Sequence, residues 1–133
     1  MVTMGAKKTI LVVDDSPTER FFLTDLLKRS GYGVLTAENG EDALAKIRLE
    51  RPSLVVMDVV MPGSSGFQVT RALNRDPETQ SIPVILCTSK STETDRIWGL
   101  RQGARDYVTK PVDAEVLLAK IAELVHSKDA RHV

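Results

Sequence analysis

An α/β fold built on a parallel sheet is what this 133-residue chain predicts, and three features carry that prediction. Five short runs rich in β-branched residues, 9–13, 33–37, 53–57, 83–87 and 106–108, alternate with longer segments whose apolar residues recur at helical spacing. The runs Ile10-Leu11-Val12-Val13, Leu54-Val55-Val56-Met57 and Pro83-Val84-Ile85-Leu86-Cys87 are continuously apolar. Such runs suit strands with helices on both faces, as in parallel sheets. Two of the runs end in acidic residues, Asp14-Asp15 and Asp58, and the carboxyl edge of such a sheet is where ligands bind.

Taken in order, the helices are expected at 17–29, 41–50, 66–75, 92–102 and 113–126. The first has the clearest start, with Ser16 as cap, Pro17 in the first turn and Glu19 completing a capping box, while Leu23, Leu26 and Leu27 face inward. Gly31 ends it. Asn39-Gly40 and Pro62-Gly63 mark turns, Gly103 follows the fourth helix, and Asp113 caps the fifth. The whole chain, 1–133, reads as one domain with an ordered core over about 8–126, a short N-terminal arm and a loose tail from Ser127.

Composition excludes several classes of function. Eighteen basic and eighteen acidic residues cancel, so no overall positive field favours nucleic acid. The lone Cys87 excludes an intrachain disulfide and, at the end of an apolar run, reads as a packing residue. The first eight residues hold no signal-peptide core, and no apolar run approaches the ~20 residues that span a bilayer, so a cytoplasmic protein is expected. His126 and His132 sit in the last turn and tail, where helix-end charges and solvated side chains are the ordinary use, and carry no assigned function.

Carboxylates gathered at strand ends raise one another's pKa unless a cation compensates. An oxygen-only donor set of Asp14, Asp15 and Asp58, without histidine or cysteine among them, suits Mg²⁺. Lys110, after the last strand, and Thr88 with Ser89, after the fourth, bring an ammonium and hydroxyls to the same edge. Together these groups describe a site for a phosphoryl group, with Asp58 the best nucleophile for forming an acyl phosphate.

Asp14-Asp15, Asp58 through Gly63, Thr88-Ser89 and Tyr107-Val108-Thr109-Lys110-Pro111 resemble the response-regulator receiver domain, over about Lys8 to His126. Thirty residues separate Asp58 from Thr88 and twenty-two separate Thr88 from Lys110, as in chemotaxis-type receivers. The resemblance implies a flavodoxin-like (βα)5 doubly wound sheet of strand order 2-1-3-4-5. Asp58 would take phosphate from a histidine kinase, and Mg²⁺ would be held by Asp14, Asp15, Asp58 and the Val60 backbone carbonyl. Thr88 and Lys110 would bind the phosphoryl oxygens, and Tyr107 would rotate inward as Thr88 moves. Lys110-Pro111 would be cis, aiming the lysine inward.

The stretches Asp14 to Glu19, Trp98-Gly99 and Arg101 to Tyr107 are similar to stand-alone regulators of type IV pilus twitching motility. Such a protein is not an enzyme in the ordinary sense, and a monomer is expected. Its state would be read by a pilus-motor or signalling protein at the surface near Trp98 and Tyr107, or it would drain phosphate from a shared kinase. Trp98 itself fits either an interface or a brace for the neighbouring strand. A phosphoester hydrolase of the haloacid-dehalogenase type would need an acid two residues after the nucleophile, where this chain has Val60. Flavin binding on the same fold is opposed by Asp14-Asp15, which put negative charge where the cofactor phosphate would sit.

Overall fold

The computed structural model describes residues 7–89 and 92–131, with side chains described as far as His126. The elements run β1 Thr9–Val13, α1 Pro17–Arg29, β2 Gly33–Ala37, α2 Gly40–Glu50, β3 Leu54–Asp58, α3 Gly66–Arg75, β4 Val84–Thr88, α4 Glu93–Arg101, β5 Asp106–Thr109 and α5 Ala114–Arg131. All strand pairs are parallel, and the order across the sheet is β2-β1-β3-β4-β5, as the sequence predicts. From β1 the chain steps one way to β2 and the other way to β3, so the topological switch lies between β1 and β3.

Register decides what meets at the carboxyl edge. Val13 pairs with Met57, Asp58 with Cys87 and Thr88 with Thr109. Asp14 thus follows β1 level with Asp58 at the end of β3, Thr88 ends β4 one residue further on and Lys110 follows β5 just beyond it, with Asp14 and Asp58 flanking the switch point. This is the crevice that ligands of open α/β sheets occupy.

Strand side chains alternate between two cores. Leu11, Val13, Val55, Met57, Val84, Leu86 and Tyr107 pack on one face with Ala43 and Ile47 of α2 and Val69 and Leu73 of α3. Ile10, Val12, Leu54, Val56, Ile85, Cys87 and Val108 pack on the other with Leu23 and Leu27 of α1 and Leu117, Ile121 and Val125 of α5. Burial on both faces explains the unbroken apolar runs. Each fully buried leucine or isoleucine contributes about 1.5–3 kcal/mol, whereas an exposed pair such as Arg29–Asp25 on α1 contributes about 0.3–0.5 kcal/mol. The two apolar cores hold the sheet; the surface pairs do not. Cys87 belongs to the second core, where burial pushes its thiol up to about 12, in keeping with a packing role.

Helix ends follow local chemistry. Ser16, Asn39, Ser65 and Thr92 each accept from the backbone N–H three residues on, and the Asp113 carboxylate accepts from Glu115 N and Val116 N. Gly31, at φ +95°, closes α1, with Gly31 N donating to Lys28 O and Tyr32 N to Leu27 O.

Several expectations need correction. Glu19 forms no capping box, because the Ser16 N–H it would receive is already bonded to Asp14 Oδ1 at 2.9 Å. The reciprocal box is at α3, between Ser65 and Gln68. Asn39-Gly40 is a helix start, not a free turn. β3, β4 and β5 each run one residue further than expected, since Asp58, Thr88 and Thr109 still pair across the ladder. α4 spans 93–101, with Thr92 as its cap and Gln102 closing it. α5 continues to Arg131, past the expected end at His126, while the N-terminal arm 1–6 and residues 132–133 lie outside the described residues.

A Cβ on Gly66 would lie 2.4 Å from Asp58 O and 2.9 Å from Val59 Cα, both backbone atoms that cannot yield cheaply. Gly66→Ala should therefore cost about 3 kcal/mol in urea unfolding; an unchanged midpoint would show that the loop after β3 can retreat. Cys87 should resist iodoacetamide in the native protein and react promptly in denaturant, as followed by mass. Fast native labelling would mean that the second core opens readily.

Candidate functional site

Three carboxylates meet at the switch point, since Asp14, Asp15 and Asp58 each present an oxygen within 4.8 Å of the others. Asp14 and Asp58 are buried, at 2% and 7% exposure, and Asp15 is open to solvent. Asp14 is fixed from several directions. Its N–H donates to Ala37 O at 3.1 Å, its Oδ1 accepts from Ser16 N, and its carbonyl accepts from Arg20 Nη1 at 2.8 Å. The turn into α1 thus holds one carboxylate oxygen and leaves the other, Oδ2, facing the site.

Lys110 supplies the compensating charge. Its Nζ lies 2.9 Å from Asp14 Oδ2, 3.5 Å from Asp58 Oδ1 and 4.0 Å from Glu19 Oε1. Its backbone N–H donates to Thr88 O at 2.8 Å, continuing the β4–β5 ladder by one residue, and the Lys110-Pro111 peptide is cis as expected. Burial by itself would lower the lysine pKa, but the hydrogen bond to Asp14 and the charges of Asp58, Asp14 and Glu19 prevail, so it lies above the ordinary value. The ammonium is a permanent charge in the physiological range.

One ammonium does not balance this many carboxylates. Burial pushes the Asp58 carboxyl above its ordinary value, with Asp14 adding to the shift; Lys110 and the backbone of Val60 oppose it without cancelling it. A buried carboxylate held at such a cost, in an oxygen-only cluster, is the environment that a hard divalent cation relieves. Asp14, Asp15 and Asp58 could hold one.

The other predicted residues lie on β4, β5, α4 and the loop after β3. Thr88 ends β4, 1% exposed. Val60, two residues past Asp58, is 55% exposed in the loop before α3. Tyr107 is turned inward, 4% exposed within the first core. A Cβ on Gly99 would meet Tyr107 Cδ2 at 3.2 Å and Leu86 Cδ1 at 3.0 Å, so α4 lies on the tyrosine ring by virtue of having glycine there. Burial, with the nearby Asp95 charge, raises the phenol pKa. Trp98 is half-exposed and, with Thr94, Asp95, Ile97 and Arg101, lines an open hollow of about 270 Å³ on the outer side of α4.

Sequence reasoning missed two participants. Glu19 was assigned to the helix cap and instead faces Lys110; Arg20 braces the Asp14 carbonyl. Their only signal was their place in the first turn of a helix that starts beside the acidic pair.

Known proteins resemble this chain in sequence and fold. A family model of the response regulator receiver domain matches residues 10–122. Protein PilH of Pseudomonas aeruginosa is 60% identical over 112 residues, covering 84% of this chain and 93% of PilH. The phosphate regulon transcriptional regulatory protein PhoB of the same species is 42% identical over 114 residues, 86% of this chain but only 50% of PhoB. Among solved structures, chemotaxis protein CheY4 of Vibrio cholerae superposes with a TM-score of 0.84 at 30% identity, covering 90% of this chain and 99% of that one. A CheY-like receiver domain protein from Methanospirillum hungatei gives 0.87 at 27% identity, covering 95% and 99%. With the strand order, the acidic cluster and the family match all in agreement, the chain belongs to the response-regulator receiver family.

Proposed function

We propose that the chain works as a stand-alone response regulator that takes a phosphoryl group on Asp58 from a histidine kinase, in chemotaxis-like control of type IV pilus motility. The observation that carries the phosphoacceptor reading is Asp58 itself. It is a buried carboxylate of raised pKa at the sheet's switch point, 3.5 Å from a charged lysine and within 4.8 Å of two further acids. The pilus assignment is supported by 60% identity to PilH across 93% of that protein's length.

In this reading a carboxylate oxygen of Asp58 attacks phosphorus, the P–N bond of the kinase phosphohistidine breaks with its electron pair left on the imidazole, and an acyl phosphate forms. Mg²⁺, when bound by Asp14, Asp15, Asp58 and the Val60 carbonyl, supplies positive charge against the phosphoryl oxygens and the attacking carboxylate. Lys110 contributes a second positive charge, and the Thr88 hydroxyl donates to a phosphoryl oxygen. Hydrolysis of the acyl phosphate by the same site resets the protein, which is the extent of its chemistry.

The output surface is α4 with β5. Ile97, Trp98 and Leu100 are 45%, 46% and 40% exposed on a helix that lies against Tyr107, so a change at Thr88 has a short route to a partner-facing apolar surface. This favours an effector that meets a pilus-motor or signalling protein over a pure phosphate drain.

Intact mass after acetyl phosphate should show one added phosphoryl group in Mg²⁺ and none after chelation, and Asp58→Asn should remain unlabelled. Labelling that persists in that variant would place the acceptor elsewhere. The same variant should be the more stable protein in metal-free buffer at pH 7. Asp58 binds its proton more tightly folded than unfolded, so ionising it disfavours folding once the pH rises above the ordinary carboxylate range. Removing that charge should raise the urea midpoint of unfolding; a loss of stability would mean that Lys110 compensates Asp58 fully.

A further inference from the structure

Ser16-Pro17-Thr18-Glu19 is a capping-box sequence in which the glutamate normally returns to the cap residue's backbone N–H. Here that N–H is taken by Asp14 Oδ1, and the Glu19 carboxylate is released from the helix end. It turns to the site, 39% exposed, with Oε1 4.0 Å from Lys110 Nζ.

The consequence lies in how Asp14 is shared. Its Oδ1 is committed to Ser16 N, and its Oδ2 receives Lys110 at 2.9 Å. Oδ2 is the Asp14 oxygen that the helix turn leaves to the site, so a divalent cation held there would compete with the ammonium for it. An ammonium displaced from Asp14 in a largely buried site must find other negative charge nearby. Asp58 faces the cation as well. Among the described residues, Glu19 is the carboxylate within 4.0 Å of Lys110 that the acidic cluster leaves out.

We infer that Glu19 is a positioning residue for Lys110: it receives the ammonium when a divalent cation takes Asp14, so that cation entry and lysine movement are one coupled event. The lysine then waits at the mouth of the site, where phosphoryl oxygens arrive, instead of barring the metal. This rests on the proposal that Asp14, Asp15 and Asp58 hold Mg²⁺.

Calorimetric Mg²⁺ titration of the full chain tests it without any phosphoryl transfer, using wild type, Glu19→Gln, Lys110→Met and the double variant. The cap survives Glu19→Gln because Ser16 accepts from the Glu19 backbone N–H, not from its side chain. Glu19→Gln should weaken Mg²⁺ by about threefold, the scale of a half-exposed charge pair. Lys110→Met should tighten Mg²⁺ by removing the competitor. In the Lys110→Met background the glutamate change should then matter by less than about twofold, since a residue that acts through the lysine has nothing left to act on. Equal weakening in both backgrounds would make Glu19 a simple distributed charge and overturn the inference, as would no weakening at all. Wild type that takes up no Mg²⁺ would remove the metal proposal and this inference together, whereas Mg²⁺ uptake indifferent to Glu19 removes the inference alone.

Discussion

The constraint on which this structure turns is a shortage of positive charge at the switch point of the sheet. Lys110 is shared between Asp14, Asp58 and Glu19 at 2.9, 3.5 and 4.0 Å, and Asp15 adds a further acid at the rim. Burial penalises the ionised form of Asp58, so the folded protein carries a group that opposes folding near neutral pH. An apolar residue there would be more stable and chemically inert. The site keeps instead a carboxylate of the kind whose charge a hard cation would relieve.

Such a cost is tolerable because the two cores are independent of it. Leu23, Leu27, Leu117 and Ile121 on one side and Ile47, Val69 and Leu73 on the other are buried against strands whose inner residues are wholly shielded. Parallel register brings the ends of β1 and β3 level, with those of β4 and β5 just beyond, and the close approach of Gly66 to the Asp58 carbonyl packs α3 under Asp58. Rigid scaffolding of this kind lets a handful of polar groups remain imperfectly paired without loosening the fold.

The elements and the main acids are legible because they depend on local patterns, apolar runs of strand length, caps such as Ser16 and Asp113, and acids directly after β1 and β3's apolar run, whereas the strand order comes from the receiver resemblance. What could not be read was competition between partners. Ser16-x-x-Glu19 satisfies the capping-box pattern, yet which acceptor the Ser16 N–H chooses depends on the orientation of Asp14, and that follows from the sheet. Likewise, Tyr107 could be named as a strand residue, but its inward ring depends on Gly99 across the α4 contact, a pairing without any sequence periodicity. The polar tail beyond His126 carries no apolar stripe that would mark it as helix, yet the backbone of α5 continues helical through Arg131.

α4 departs from the pattern of the other helices in a way that bears on signalling. A helix is ordinarily anchored by an apolar stripe, but in α4 Ile97, Trp98 and Leu100 are outward and Gly99 is the residue buried. Its hold on the sheet is therefore backbone on ring, glycine against Tyr107 and Leu86, with little side-chain area in between. Elements that bury few apolar groups lie at the low end of local stability, where small free energies shift populations. A glycine contact is also intolerant of a moved ring, since no flexible side chain is present to absorb the change. Placed two strand residues before Thr109 and beside Leu86, itself two residues before Thr88, the Tyr107 ring is where a rearrangement at the carboxyl edge would first press on a helix that buries few apolar side chains.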